Sequence, residues 1–108
     1  LFSESFYSRR CAIPACGFYE WEKKSREKVR YTWPGELFYM AGIYRPFLDG
    51  FHFVILTVPA NASVRPVHPR MPLILRKEDV RPWLGDIAAA ERFLERESPS
   101  FRSKVCGT

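Results

Sequence analysis

Short apolar and aromatic runs alternate with turn signals along the chain, and this alternation restricts its fold more than any other feature. Residues 29–33, 37–44 and 51–58 are rich in β-branched and aromatic side chains, which favour β-strands. Pro34 with Gly35, and Asp49 with Gly50, separate these runs by turn residues, so consecutive strands must reverse direction. The pattern therefore predicts a largely antiparallel sheet, with residues 37–44 covered on both faces.

The flanking segments complete an α+β prediction. Residues 10–15 and 17–22 are interpreted as two further strands around a bend at Gly17. Four prolines interrupt residues 59–72, which therefore cannot form long regular structure, and a short strand follows at 73–75. The later predictions are a helical turn or two at residues 77–85 anchored by Trp83, a helix from the N-cap Asp86 through Glu97, and a loop-like tail.

Length and composition limit the class of protein. The 108 residues suit one domain spanning 1–108, and 46% of them are hydrophobic, enough for a core. No apolar run is long enough to cross a bilayer. Three cysteines without a CxxC spacing argue against a disulfide framework or a zinc site, and favour a reducing, cytoplasmic setting without metal or cofactor. The net charge of +5 permits an anionic partner such as nucleic acid.

Glu20 in the run CGFYEWE is the first candidate for chemistry. In a regular strand Phe18, Glu20 and Glu22 share one face, and Tyr19 and Trp21 share the other. Two interpretations stay open from spacing alone. The acid is either a solvent-facing member of a half-exposed strand, or an acid at a cleft whose pKa is raised by its aromatic surroundings.

The proline-rich loop provides the second candidate, His68, which lies between Val67 and Pro69 in PVHPRMP. A stiff loop is a suitable support for an imidazole that transfers protons near neutral pH, although a loop histidine also packs for structural reasons. Asn61 precedes it by a few residues, and is explained either as a turn former or as a polar contact in the same pocket.

Basic residues occur in several loops, among them Arg9, Arg10, Arg65 and Arg70, and the run from Lys23 to Lys28. They are interleaved with tyrosines and tryptophans that include Tyr31. Such a set either binds phosphates and stacks on unpaired bases, or is simply a solvated basic face.

Four blocks in order, RRCAIPACGFYEW, ELFYMAGIY, FVILTVPAN and VHPRMPLIL, resemble those of the SRAP (SOS response associated peptidase) family from about Arg9 to Trp83. The resemblance implies an α+β fold with a curved, largely antiparallel, barrel-like sheet and flanking helices. It also implies a sensor of abasic sites in single-stranded DNA. Such a sensor traps the ring-opened sugar as a thiazolidine on an N-terminal cysteine, and is expected to be monomeric and cytoplasmic, or nucleoid-associated in a bacterium.

The resemblance assigns roles residue by residue. Glu20 matches the proton shuttle, which also assists removal of the initiator methionine, and His68 matches the group that promotes sugar ring opening. Tyr19 and Trp21 are interpreted as holding the strand of Glu20 against the core. The expected DNA-binding residues are Arg9, Arg10, Trp21, Asn61, Arg65, Arg70 and Met71.

The sequence also departs from the family pattern. The N-terminal MCGR-type segment has no counterpart, none of Cys11, Cys16 or Cys106 stands in the nucleophile's place, and Pro69 replaces an aspartate. We therefore expect an N-terminally truncated chain that cannot form the thiazolidine by itself. Two alternatives remain open: a non-catalytic module that binds single-stranded DNA, and a peptidase in which Glu20 and His68 are the acid/base pair.

Overall fold

The computed structural model describes residues 3–33 and 37–107. The helices in these ranges are α1 (Ser3–Ser8), α2 (Val80–Gly85) and α3 (Ile87–Glu95), and a 3₁₀ turn at Lys77–Asp79 precedes α2. The strands are β1 (Arg10–Ala15), β2 (Phe18–Trp21), β3 (Lys28–Thr32), β4 (Phe38–Phe47), β5 (Gly50–Ile55), β6 (Thr57–Pro59), β7 (Arg70–Pro72), β8 (Ile74–Leu75) and β9 (Arg102–Gly107).

The described strands form three antiparallel sheets rather than one closed barrel. In the first sheet β4 lies between β1 and β5 and also pairs with β8. The second sheet has the order β2-β3-β9, and the third is the pair β6-β7. The predicted α+β class with largely antiparallel pairing is confirmed, and the barrel-like description is replaced by three separate sheets.

The core lies where these sheets meet the helical segment. Trp83 of α2 is fully buried, and its indole N–H donates to the Cys11 carbonyl over 2.9 Å, which fixes α2 on β1. Phe101, just before β9, makes edge-to-face contacts with Phe18 and Phe38 at centroid distances of 5.2 and 5.4 Å. One aromatic side chain therefore packs against strands of both larger sheets.

Several predicted elements agree closely with the structure. Strand β1 has the predicted bounds, and α2 ends at Gly85 as expected. The Asp86 carboxylate accepts hydrogen bonds from the backbone N–H groups of Ala88 and Ala89, so it caps α3 as predicted. Helix α3 ends at Glu95, two residues before the expected Glu97.

Two expectations about the fold are wrong, and one helix was missed. Residues 51–58 form not one strand but parts of β5 and β6, and β5 is largely exposed. The tail is not loop-like, because β9 pairs with β3. Helix α1 was not predicted at all. The predicted turn at Pro34 and Gly35 lies outside the described residues.

Within the described residues, no helix combines the length and the apolar character needed to cross a membrane.

Candidate functional site

Glu20 lies on the inward face of β2, beside the core. It is the cross-strand partner of the buried Val29, and the neighbouring position on the same face is Phe18, also buried. Its side chain is 24% exposed. Burial raises the pKa of the Glu20 carboxyl above its ordinary value, and the charge of His68 lowers it by a smaller amount. The site therefore favours a carboxyl that keeps its proton to a higher pH than a surface glutamate does.

His68 is held at the end of two tight turns in the proline-rich loop. The backbone N–H groups of Val64 and Arg65 donate to the Asn61 carbonyl, and those of Val67 and His68 donate to the Val64 carbonyl. These hydrogen bonds carry the chain around so that the ring reaches β2. The Nε2 atom of His68 lies 3.9 Å from Oε1 of Glu20. The structure thus brings together the two residues that the sequence singled out for acid/base chemistry.

The other ring nitrogen of His68 is held by the backbone of Arg70. Nδ1 lies 3.1 Å from the Arg70 backbone nitrogen and 3.0 Å from the Arg70 carbonyl oxygen. An unprotonated Nδ1 accepts from that N–H, and a protonated Nδ1 donates to that carbonyl. The ring can therefore gain or lose a proton without losing its backbone contact, which suits a residue that must do both.

Tyr31 is buried on the same face of the second sheet as Glu20. It is fully buried and stacks on Phe18 at 5.2 Å between ring centroids, so it is unavailable for stacking on bases. Its hydroxyl has no hydrogen-bond partner among the residues that the structure describes. Burial raises the pKa of the Tyr31 phenol, and the charge of Glu20 raises it further. The phenol is thus a neutral, unpaired polar group close to the candidate acid.

Four of the predicted DNA-binding residues are engaged in contacts that hold the fold. The Arg9 guanidinium donates to Ser5 and to the Tyr44 carbonyl, and that of Arg10 donates to the carbonyls of Phe6 and Trp83. The Asn61 amide donates to the carbonyls of Ser98 and Pro99, and its oxygen accepts from the Ser63 N–H. Met71 is fully buried in the core. DNA binding by these residues stays a prediction that these contacts do not support.

The other three predicted DNA-binding residues are exposed. Arg70 donates to the Thr57 carbonyl over 2.8 Å and Arg65 donates to the Ala60 carbonyl over 2.9 Å, while both side chains remain accessible. Trp21 is 53% exposed at the end of β2. These side chains are accessible to a partner, and their role in DNA binding also stays a prediction.

The interpretation that Tyr19 and Trp21 hold their strand against the core is wrong. Both side chains are 53% exposed, and Phe18 provides the core contact of β2 instead. The alternation itself was predicted correctly, but the face that carries Glu20 is the inward one. Sequence reasoning also missed that Arg30, Arg102 and Lys104 lie on the same outward face as these aromatics. The two-residue period of a strand was the available signal for Arg30.

The described residues contain no group of three or more histidine, cysteine, aspartate or glutamate side chains arranged to hold a metal ion. A cavity of about 410 Å³ opens on the first sheet between Cys11, Ile13, Tyr44, Phe51 and Phe53. Neither Glu20 nor His68 lines this cavity. The pair Glu20 and His68 is therefore a separate feature at the edge of the second sheet.

Comparisons of the sequence with protein families and with curated proteins agree on one family. Residues 1–103 match the family described as SOS response associated peptidase (SRAP). The abasic site processing protein YobE of Bacillus subtilis is 34% identical over 93 residues, which cover 78% of this chain and 42% of YobE. The abasic site processing protein HMCES of Xenopus tropicalis is 30% identical over 106 residues, which cover 73% of this chain and 32% of that protein.

Two crystal structures share the fold. A protein from Bacteroides thetaiotaomicron has a TM-score of 0.81 at 25% identity, covering 96% of this chain and 52% of that one. A protein from Bordetella bronchiseptica has a TM-score of 0.85 at 22% identity, covering 99% of this chain and 59% of that one. The chain thus spans less than half the length of the two relatives named above, and between half and three fifths of these structures.

Proposed function

The chain belongs to the SRAP family, and on that premise we propose that it carries the acid/base residues of a centre that processes abasic sites in single-stranded DNA. Relatives with 30–34% identity are named abasic site processing proteins. The observation that carries the proposal is the 3.9 Å separation of His68 Nε2 and Glu20 Oε1. This separation is too long for a direct hydrogen bond, and short enough for both groups to reach one reacting atom or one bridging water.

The reaction proposed is condensation of a cysteine with the aldehyde of the ring-opened sugar. The α-amine attacks the aldehyde carbon, and Glu20 donates its proton to the resulting hydroxyl, which leaves as water and produces a protonated imine (an iminium ion). The cysteine thiol then adds to the imine carbon, its proton passes to the Glu20 carboxylate, and the imine nitrogen becomes the amine of a thiazolidine. A carboxyl with a raised pKa suits both steps, since it is protonated at the start and regenerated at the end.

His68 has the earlier role of opening the sugar. Its imidazole takes the proton of the C1 hydroxyl and gives it to the ring oxygen as the bond from C1 to that oxygen breaks, which leaves an aldehyde and a free hydroxyl. The imidazolium formed in between lies close to the Glu20 carboxyl. The Arg70 backbone holds the ring in one orientation through this change. The proposed source of amine and thiol is the cysteine that the family places at the mature N-terminus, a place that none of Cys11, Cys16 and Cys106 occupies.

The test uses the full-length protein and single-stranded DNA that contains one abasic site. We expect a heat-stable slower band on a denaturing gel, and a band that forms about 10²-fold more slowly with Glu20→Gln. Glu22→Gln is the matched control, because its carboxylate accepts from the backbone of Lys24 and Ser25 in a turn. Equal rates for Glu20→Gln and the wild type would remove Glu20 from the mechanism.

A protein that binds the abasic strand without forming the band would instead be a non-catalytic binding module. A protein that cleaves peptides without reacting with abasic DNA would instead be a peptidase that uses Glu20 and His68. Binding to an intact strand, measured in parallel for each variant, separates loss of chemistry from loss of affinity.

A further inference from the structure

Tyr31 carries a buried hydroxyl that the proposed chemistry does not use. The side chain is fully buried, and its hydroxyl has no hydrogen-bond partner among the residues that the structure describes. The ring stacks on Phe18 at 5.2 Å between centroids, and a phenylalanine would make the same stack. Packing therefore explains the ring but not the oxygen, and a buried polar group without a partner requires an explanation of its own.

Within the described ranges, Glu20 is a second polar group on this face that forms no hydrogen bond. Burial and the charge of His68 shift the pKa of its carboxyl, and no hydrogen bond from residues 3–33 and 37–107 contributes. Its Oε1 atom lies 3.9 Å from His68 Nε2, which is too long for a direct hydrogen bond. The inward face of β2 and β3 thus carries an acid and a phenol that the described residues leave unpaired.

The register of β2 and β3 places these two groups diagonally across from each other. Phe18 is the cross-strand partner of Tyr31. Glu20 follows Phe18 by two positions, so it is the diagonal neighbour of Tyr31 on the same face, at a separation of about 7–8 Å that aromatic and long side chains bridge. Burial raises the pKa of the Tyr31 phenol, and the charge of Glu20 raises it further. The phenol therefore keeps its proton and remains a donor when Glu20 is ionised.

The surroundings of the pair contain few other groups that carry charge. His68 of the proline-rich loop faces Glu20, and β9 places the uncharged Ser103 opposite Tyr31. Apolar side chains occupy the neighbouring inward positions, namely Phe18, Val29 and Val105. The basic residues of β3 and β9 alternate with these positions and lie on the opposite face: Lys28, Arg30, Arg102 and Lys104. Among the described residues, Glu20 thus has two kinds of polar neighbour, an imidazole that can gain a positive charge and a phenol that stays neutral.

We propose that Tyr31 is a positioning residue, whose hydroxyl donates a hydrogen bond to the Glu20 carboxylate once that carboxylate forms in the reacting complex. In the free protein the Glu20 side chain is 24% exposed, so water solvates the carboxylate. Bound DNA and the reacting cysteine cover this exposed side and exclude water, and the carboxylate then turns to the unpaired phenol. The inference rests on the proposed function, which supplies the step in which Glu20 becomes ionised.

The hydrogen bond acts between the two proton transfers of Glu20. The carboxyl gives its proton to the hydroxyl that leaves as water, and the phenol then donates to the carboxylate without transferring its own proton. The thiol proton passes to the carboxylate in the next step, and the phenol is unpaired again. A hydrogen bond to the ionised form lowers a pKa, so Tyr31 offsets part of the increase that burial causes. The unpaired hydroxyl thus destabilises the free protein and stabilises the charged state during the reaction.

The first experiment compares Tyr31→Phe with the wild type in the crosslinking of single-stranded DNA that contains one abasic site by the full-length protein. At saturating protein the rate should fall about tenfold, the effect of one lost hydrogen bond to a charged group, while the protein concentration at half-maximal rate stays within about twofold. Tyr44→Phe is the matched control, because this half-buried tyrosine packs on Phe51 in the first sheet, and it should keep the wild-type rate. An unchanged rate for Tyr31→Phe would overturn the inference.

The pH dependence separates a positioning role from a structural one. The limb of the pH–rate profile that disappears in Glu20→Gln belongs to Glu20, and in Tyr31→Phe this limb should move upward by about 1 pH unit. The double variant Glu20→Gln/Tyr31→Phe should be no more than about twofold slower than Glu20→Gln, because Tyr31 acts through the carboxylate. A limb that stays in place, or full additivity in the double variant, would show that Tyr31 only supports the fold.

The third measurement requires no reaction. A tetrahydrofuran ring in place of the abasic sugar cannot open, so a strand that contains it fills the site without producing an aldehyde. Carbon-13 NMR of the Glu20 carboxyl reports its pKa in this complex. Tyr31→Phe should raise that pKa by about 1 unit, and should change the pKa in the free protein much less. Equal pKa values in the complexes of Tyr31→Phe and the wild type would contradict the proposed hydrogen bond.

Failure of the inference and failure of the proposed function give different results. A Tyr31→Phe variant that reacts normally, beside a slow Glu20→Gln variant, contradicts only the inference. A Glu20→Gln variant that crosslinks at the wild-type rate contradicts the proposed function. In that case the pKa of Glu20 in the tetrahydrofuran complex still decides whether Tyr31 donates to it.

Discussion

The backbone of Arg70 offers both a donor and an acceptor to the same nitrogen of His68. Its N–H group lies 3.1 Å from Nδ1 and its carbonyl oxygen lies 3.0 Å from it. The neutral ring can form a hydrogen bond with either the N–H or the carbonyl of Arg70. Which ring nitrogen carries the proton therefore depends on a third group. Glu20 faces Nε2 at 3.9 Å, and its negative charge favours a proton on that side.

We therefore expect neutral His68 to carry its proton on Nε2 while Glu20 is ionised, and on Nδ1 once Glu20 is protonated, which leaves Nε2 free to take the proton of the sugar hydroxyl. Two-bond ¹H–¹⁵N correlation spectra of the ring, recorded under alkaline conditions, distinguish the two tautomers directly. Glu20→Gln removes the charge that faces Nε2 and should increase the fraction with the proton on Nδ1. A ring that is predominantly Nδ1-protonated in the wild type would contradict this assignment.

The pKa of Glu20 predicts how its substitution changes stability with pH. Because burial raises this pKa in the folded state, the unfolded chain ionises first as pH rises, and the folded state loses relative stability through the raised pKa. Glutamine at position 20 does not ionise. The melting temperature of Glu20→Gln relative to the wild type should therefore increase from pH 4 to pH 7.

Glu22 should show the opposite dependence. The backbone N–H groups of Ser25 and Lys24 lower the pKa of its carboxyl, so the ionised form stabilises the fold and that contribution is lost as pH falls. Glu22→Gln should destabilise the protein at pH 7 and approach the wild type near pH 3. If the stabilities of Glu20→Gln and Glu22→Gln, each relative to the wild type, changed with pH in the same way, the opposite pKa shifts of the two carboxyls would be contradicted.

Tyr31→Phe should stabilise the protein, because it removes a buried hydroxyl that has no partner within the described ranges. Relief of an unsatisfied polar group of this kind amounts to about 1 kcal/mol of unfolding free energy. Tyr19→Phe removes a hydroxyl from a half-exposed ring and should be neutral. Urea unfolding measures both, and a Tyr31→Phe variant less stable than the wild type would indicate a bound water at this hydroxyl.

Gly42→Ala and Gly85→Ala should have effects of opposite sign. A Cβ atom at position 42 would lie 2.9 Å from both the Ile13 Cδ1 atom and the Val54 carbonyl oxygen, which should cost about 2 kcal/mol of stability. A Cβ atom at position 85 meets nothing within 4 Å and should stabilise the helix end by about 0.5 kcal/mol. Chemical denaturation of the two variants measures the difference, and equal midpoints would contradict the close packing of β1 and β4.

Asn61→Ala should reduce stability by about 2 kcal/mol, because it leaves the carbonyls of Ser98 and Pro99 without their shared donor. Ser100→Ala, at an exposed position of the same segment, should be neutral. Unfolding monitored by circular dichroism measures both. An Asn61→Ala variant as stable as the wild type but weaker in DNA binding would restore Asn61 as a DNA contact.

Local patterns predicted most of the strands and both helix boundaries around Gly85 and Asp86, because turn residues, caps and apolar runs act within a few residues. They did not predict β9, whose residues are polar and become a strand only through pairing with β3. The apolar run 51–58 was misleading for a related reason. Its hydrophobicity indicated a continuous strand but not the break at Leu56 or the exposure of β5.

For the candidate site, the strand period placed Glu20 opposite Tyr19 and Trp21, but it cannot say which side of a strand faces the core. That choice depends on Tyr31 and Phe101, which pack on Phe18 from elsewhere in the chain. The pairing of Glu20 with His68 was implied by the resemblance of two separate blocks. Neither spacing nor composition predicts that His68 Nε2 and Glu20 Oε1 lie 3.9 Å apart.

The contacts of Phe101 and β9 also bear on the order of folding. Strands β2 and β3 form a local hairpin, but their third strand comes from a segment far along the chain and must wait for a large loop to close. Phe101 contacts Phe18 and Phe38 only after this closure, so the packing on the inward face of β2 is incomplete until then. We therefore expect the burial that raises the pKa of the Glu20 carboxyl to be complete only when β9 has docked on β3.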